Sequence, residues 1–222
     1  MKEKIQDQLH YIKSEFEKRI NPEESEAMAK YMRNLFPYIG MKMPARKEIL
    51  RPVLKSISSA EEAICLAEEL WQLEEREYQY AGLDILQTKA KKIDAGQLVR
   101  LKELVKTKSW WDTVDRLAAS VIGPAVKKDT KLREEVFSWR EDNYLWLERT
   151  AIIFQLKYHK ETDVEMLMAA ILPFVNSEEF FHQKAIGWAL RNYSKSNPDW
   201  VRRFIKETPL KPLSVREGSK YI

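Results

Sequence analysis

Tyr78-Gln-Tyr-Ala-Gly-Leu-Asp-Ile-Leu86, Trp111-Asp-Thr-Val-Asp-Arg-Leu-Ala-Ala119, Glu148-Arg-Thr-Ala-Ile-Ile-Phe-Gln-Leu156 and His182-Gln-Lys-Ala-Ile-Gly-Trp-Ala-Leu190 read as four versions of one segment. Each has a small residue in fourth place: Ala81, Val114, Ala151 and Ala185. The anchors are 33, 37 and 34 residues apart. That step is the length of one helical hairpin, and a fixed step of this size is the mark of a repeat architecture. Partner helices are predicted between the segments, at about 94–106, 130–141 and 162–173, from apolar residues recurring at three and four. One such hairpin cannot bury both its faces, so neighbours must stack. The predicted fold is all-α, an α-solenoid of stacked antiparallel helix pairs in a curved array. An irregular helical bundle is the competing arrangement.

The N-terminal part follows the same grammar. Ile5, Leu9, Ile12 and Phe16 make one amphipathic helix. Asn21-Pro-Glu-Glu starts a second, with an N-cap and a proline at the first helical position. That helix carries Met28, Tyr31, Met32 and Leu35 and stops before Pro37. Pro44 opens a third helix, through Ile49, Val53, Leu54 and Ile57. Ser59 caps a fourth, with Ile64, Ala67 and Leu70. Further on, Asp163 and either Ser177 or Asn176 are candidate caps. Six glycines in 222 residues, and no sustained alternation of period two, leave no room for a sheet.

Composition narrows the function classes. Charged residues make up 32% and hydrophobic residues 44%, ordinary for a soluble globular chain with a sizeable core. The N-terminus is polar, and no apolar run is long enough to span a bilayer, so a cytoplasmic protein is expected. Cys65 is the one cysteine, which excludes an internal disulfide, and its apolar helical setting reads as core. His10, His159 and His182 are far apart, so no metal cluster or cofactor is expected. The net charge of +4 is unevenly spread. Residues 51–80 hold three basic and seven acidic side chains, a net of −4, and residues 181–222 hold nine and three, a net of +6. A basic C-terminal part suggests a face for a polyanion, against the ordinary alternative of a solvated helix surface.

The stretch with chemistry in it is Lys108-Ser-Trp-Trp-Asp-Thr-Val-Asp115. On a helix Trp111 and Asp115 share a face. A carboxylate beside an indole suits a ligand that is, or becomes, cationic. A core tryptophan pair with two surface carboxylates is the plainer reading. Superposing the repeats on their anchors places Trp111, Asp115 and Arg149 within an arc of about 100°. Trp188 and Arg191 fall outside it.

At these residues the chain resembles the AlkD family of alkylpurine DNA glycosylases, which are built from HEAT-like helical repeats. The matching stretches are Asn21-Pro-Glu-Glu with Tyr31-Met-Arg-Asn, Arg76-Glu-Tyr-Gln, the Lys108–Asp115 stretch, Arg149-Thr-Ala-Ile-Ile-Phe-Gln-Leu-Lys-Tyr, Glu179-Phe-Phe-His-Gln-Lys-Ala-Ile-Gly-Trp-Ala-Leu-Arg, Asn197-Pro-Asp and Pro212-Leu-Ser-Val-Arg-Glu. They run nearly end to end. The resemblance implies a single domain over residues 1–222, with a concave basic groove. It implies a monofunctional hydrolase that releases positively charged N7- and N3-alkylated purines, such as 7-methylguanine and 3-methyladenine, from double-stranded DNA without a cofactor. By the same resemblance Asp115 matches the catalytic carboxylate, Trp111 and Trp188 the aromatic residues at the lesion nucleotide, Arg149 a DNA-contacting arginine, and Tyr31 a tyrosine lining the cleft. The chain departs from the pattern at Glu148, an acidic neighbour of Arg149. Lys106, Lys108, Lys157, Lys184, Arg191 and Arg216, with Arg202 and Arg203, are the candidate phosphate contacts. A monomer is expected. The competing function is a non-catalytic repeat scaffold that binds DNA or protein.

Overall fold

The four anchors of the repeat all point inward: Ala81, Val114 and Ala185 are fully buried and Ala151 nearly so. The computed structural model describes residues 1–222 and contains helices and no strands. In chain order these are α1 (Lys2–Glu17), α2 (Pro22–Tyr31), α3 (Met43–Ser56), α4 (Ala60–Gln72), α5 (Arg76–Lys89) and α6 (Ala95–Lys106). Then come α7 (Trp111–Arg116), a π-helical turn (Leu117–Ile122), α8 (Gly123–Val126) and α9 (Thr130–Ser138). The chain ends with α10 (Leu145–Ile153), α11 (Val164–Ile171), α12 (Phe180–Ser194), α13 (Pro198–Glu207) and α14 (Pro212–Gly218). Anchors therefore sit on α5, α7, α10 and α12, and α6, α9 and α11 lie between them, as the solenoid reading requires. No helix is long and apolar enough to cross a membrane.

The contacts divide the chain into two compact units, Met1–Lys108 and Ser109–Ile222. The first is built on Ile12, Phe16, Leu50, Val53, Leu66 and Leu70, with the Phe16 and Tyr78 rings stacked at 5.2 Å. The second is built on Ile153, Ile171, Ala185, Leu190 and Val201. Within each unit, side-chain hydrogen bonds recur at the repeat step. In the first, the Trp71 indole N–H donates to the Thr107 carbonyl, 36 residues on, and Arg100 to Glu68, 32 back. In the second, the Tyr158 hydroxyl donates to the Gly123 carbonyl, 35 back. Stacking one hairpin on the next makes these pairs neighbours.

Helix ends follow local chemistry. Asn21 accepts from the Glu24 N–H at 3.2 Å, Ser59 from Glu62 at 3.1 Å and Asp163 from Met166 at 3.0 Å. Each satisfies an orphan donor of the first turn, typically about 1 kcal/mol of stability. Three expectations need correction. The second helix ends at Tyr31, not just before Pro37, because Arg33 and Asn34 take left-handed backbone at φ 59° and 57°. It buries no residue, and Tyr31 and Leu35 are exposed. Neither Ser177 nor Asn176 caps α12, whose N-cap is Glu179. Cys65 is half-buried rather than core, with its sulfur 3.2 Å from both Arg100 and Glu61.

Directly after Asp115 and Arg116 the helix widens into its π-helical turn, where the Gly123 N–H reaches back five residues to Ala118. Pro124 follows and has no N–H to return to Ser120. The wider turn lets the helix continue past that proline.

Candidate active site

The site is assembled in the second unit from α7, α10 and the start of α12. Arg149, on α10, grips Asp115 with both arms of its guanidinium. Nε donates to Oδ1 at 2.7 Å and Nη2 to Oδ2 at 2.8 Å. Nη1 donates to the Phe181 carbonyl at 2.6 Å. The fork is nearly dry: 5% of the Arg149 side chain and 12% of the Asp115 side chain are exposed. Paired, hydrogen-bonded charge of this kind is the form in which a protein tolerates ions away from water. Arg149 is thus aimed inward at the carboxylate, and three of its five N–H groups are engaged by protein acceptors.

Phe181 links this pair to an aromatic cluster. Trp110 meets Trp146 edge-on at 5.5 Å and Phe181 at 5.1 Å, and Trp146 and Phe181 are 4.8 Å apart. The Arg149 guanidinium lies 5.8 Å from the Phe181 ring centre. Trp111, half-buried, opens α7 four residues before Asp115. Burial pushes the Asp115 carboxyl above its ordinary value, the Arg149 hydrogen bonds and charge pull it back, and the charge of nearby Asp112 adds to the push. What remains is a carboxylate raised in basicity, fixed in direction and partly open to its surroundings.

The other candidate residues are distributed unevenly. Trp188, on α12, is half-buried and packs on the core of the second unit. Lys184 and Arg191 both reach Glu217 on α14, at 3.2 and 3.1 Å, and Lys220 joins them at 2.8 Å. Lys220's hydrogen bond, then Lys184's, hold the Glu217 carboxyl down at about 2 against burial. Three cations therefore converge on one carboxylate, and the cluster keeps a net positive charge. Lys157 donates to the Ser120 hydroxyl at 2.9 Å, and Arg216 is exposed.

In the first unit, Lys106 is exposed and pairs with Glu103 at 3.0 Å. Lys108 is half-buried and bonded within the unit. Its Nζ donates to the carbonyls of Gln72 and Leu73, which closes the C-terminal end of α4. Its backbone is left-handed at φ 51°, and the Arg76 guanidinium holds its carbonyl at 2.8 Å. Burial, first of all, lowers its ammonium below the usual lysine value. Tyr31, 74% exposed, borders an apolar hollow of about 230 Å³ with Met28, Met32, Tyr38 and Tyr80.

Sequence reading missed Trp110, Trp146 and Phe181, because aromatic residues at helical spacing look the same whether they wall a site or fill a core. It noted Glu148 and His182 separately and did not pair them, although both stand first in their repeat segments. The His182 ring meets Glu148 through Nε2 at 2.9 Å and Ser177 through Nδ1 at 2.9 Å. Burial, then the charge of Arg149, lower the imidazole to about 4. Burial, then Glu179, raise the Glu148 carboxyl. A neutral ring donates to the carboxylate and accepts from the serine hydroxyl.

A family model described as DNA alkylation repair enzyme matches residues 12–222. A solved structure described as a predicted DNA alkylation repair enzyme from Enterococcus faecalis is similar at a TM-score of 0.85. The identity is 35%, over 92% of this chain and 97% of that one. No curated protein matches.

Proposed function

The chain belongs to the family of DNA alkylation repair enzymes, and on that premise we propose that it is a monofunctional DNA glycosylase acting on cationic N7- and N3-alkylated purines in double-stranded DNA. The observation that carries the reading is the Asp115–Arg149 fork, a mostly buried carboxylate held in one orientation with the Phe181 ring beside its partner. A protein that only gripped a polyanion would gain nothing from such a carboxylate, since it repels phosphate.

Alkylation at N7 or N3 leaves the purine positively charged. When the C1′–N9 bond breaks, its electron pair returns to the ring and neutralises it, so no general acid is needed to help it leave. The sugar becomes oxocarbenium-like as the bond stretches. A fixed negative charge nearby stabilises that cation more than it stabilises the neutral sugar, which is what lowers a barrier. Asp115 supplies the charge and can orient the water whose oxygen bonds to C1′ as one of its O–H bonds breaks, the proton passing to the carboxylate and on to solvent, as in glycoside hydrolysis. Indole faces add about 1–2 kcal/mol of cation–π attraction where water is excluded; Trp111 and Trp188 are assigned that role. Arg149 holds the carboxylate ionised and in one orientation. The products are the free base and an abasic site.

Duplex carrying 7-methylguanine, incubated with the protein, should yield free base and alkali-labile sites. Asp115→Asn should keep duplex affinity and lose base release. If Asp115→Asn releases base as fast as the unchanged protein, Asp115 is not the catalytic group; if neither releases any, the glycosylase reading fails.

A further inference from the structure

Glu148 and His182 are the first residues of consecutive repeat segments, 34 positions apart. Stacking α12 on α10 therefore brings them side by side, and the contact is continued in both directions. The His182 Nε2–H donates to Glu148 at 2.9 Å; Nδ1 accepts from the Ser177 hydroxyl at 2.9 Å; the Ser177 oxygen accepts from the Glu179 backbone N–H at 3.2 Å. Gln183 donates to the Ser177 carbonyl at 3.0 Å. The His182 ring is buried and lies 4.4 Å from the Phe174 ring. Together these bonds lock the turn that leads into α12.

That turn delivers Phe181, whose carbonyl takes the third arm of Arg149 and whose ring lies beside the guanidinium. So Glu148 anchors α12 from α10 while its neighbour Arg149 reaches across the same gap. The acidic residue beside Arg149 is directed at His182.

We infer that Glu148, His182 and Ser177 form a positioning chain for the Asp115 carboxylate, fixing the start of α12 and, through the Phe181 carbonyl, the Arg149 fork. None of the three touches the reacting atoms. The effect on catalysis rests on the reading of Asp115 above; the effect on Arg149 does not.

The two can be measured separately. In 15N-labelled protein the Arg149 Nε–H resonance, assigned by its loss in Arg149→Lys, reports the fork through its exchange with water. His182→Ala should speed that exchange by about tenfold or more, the factor to which one charge-assisted hydrogen bond corresponds. Base release from 7-methylguanine duplex at saturating enzyme should slow by a similar factor. Affinity for undamaged duplex should stay within about twofold, since no binding group is removed. His182→Gln, which can still donate to Glu148, should stay close to the unchanged protein in both. Ser177→Ala, at the half-buried end of the chain, gives a milder version of the same effects if His182→Ala does not fold. Unchanged Arg149 exchange in both His182→Ala and Ser177→Ala overturns the inference. Faster exchange with unchanged release overturns its catalytic half. Should the unchanged protein release no base, the glycosylase reading fails, and the exchange measurement alone decides whether the chain holds the fork.

Discussion

Replacing Arg149 with methionine removes the fork and keeps most of the side-chain volume. The two short hydrogen bonds to Asp115, 2.7 and 2.8 Å, put the centres of opposite charge about 4 Å apart. At an effective dielectric near 20 that attraction is about 4 kcal/mol, and breaking a buried pair from one side typically costs about 3–5 kcal/mol of stability. With 12% of the Asp115 side chain exposed, little discount for solvent applies. Two readouts follow. Urea unfolding, watched by tryptophan fluorescence because Trp110 and Trp146 pack together in the same unit, should show the loss. Restoring neutrality in the double variant Asp115→Asn/Arg149→Met should recover part of it, because the stranded charge is gone. The second readout is pH. Without Arg149, burial and Asp112 push the Asp115 carboxyl up unopposed. The acid limb of base release should therefore move to higher pH, and release at neutral pH should fall and partly return in alkali. Single and double variants of additive stability, together with an unmoved acid limb, would refute the claim that Arg149 keeps Asp115 ionised.

Three further outcomes follow from other parts of the molecule. Gly187 on α12 admits α14 closely: a Cβ there would stand 2.5 Å from the Glu217 Cβ and 3.0 Å from the Ser214 carbonyl oxygen. Gly187→Ala should therefore destabilise by about 1–3 kcal/mol, read by urea denaturation. Glu62 is pushed up by burial, yet Lys4 and two bonds from Ser58 hold it down at about 2, and Glu217 stands at about 2 as well. Both are depressed, so their stabilisation is complete above pH 4.5 and lost as pH falls towards 2; acid titration of the unfolding free energy should show that slope, and Glu62→Gln with Glu217→Gln should flatten it. In duplex binding, Arg216→Ala should reduce the slope of log affinity against log salt by about 1, whereas Lys184→Ala, whose ammonium already sits against Glu217, should change it less.

How far the chain was legible depends on the range of the interaction concerned. The four anchors were found by counting, and all are buried, because helical periodicity reports which face is inward wherever apolar residues recur at three and four. The caps at Asn21, Ser59 and Asp163 were legible for the same reason, since a cap contacts only the next turn. The extent of α2 was not, because Asn34 is a weak stop signal, of a type enriched in left-handed backbone, and Arg33 carries none.

Charged residues divide along the same line. The Lys108 ammonium closes the end of α4, more than thirty residues back, and Glu148, a departure from the family pattern, meets His182 one repeat on. Local order determined the all-α class, the repeat step and the residues that face inward, because these depend on neighbours within a turn or two. The partner of Arg149, the aromatic cluster of Trp110, Trp146 and Phe181 and the chain through His182 were decided only when hairpins stacked. Which side chains meet across two helices depends on their rotation and spacing, and packing sets those.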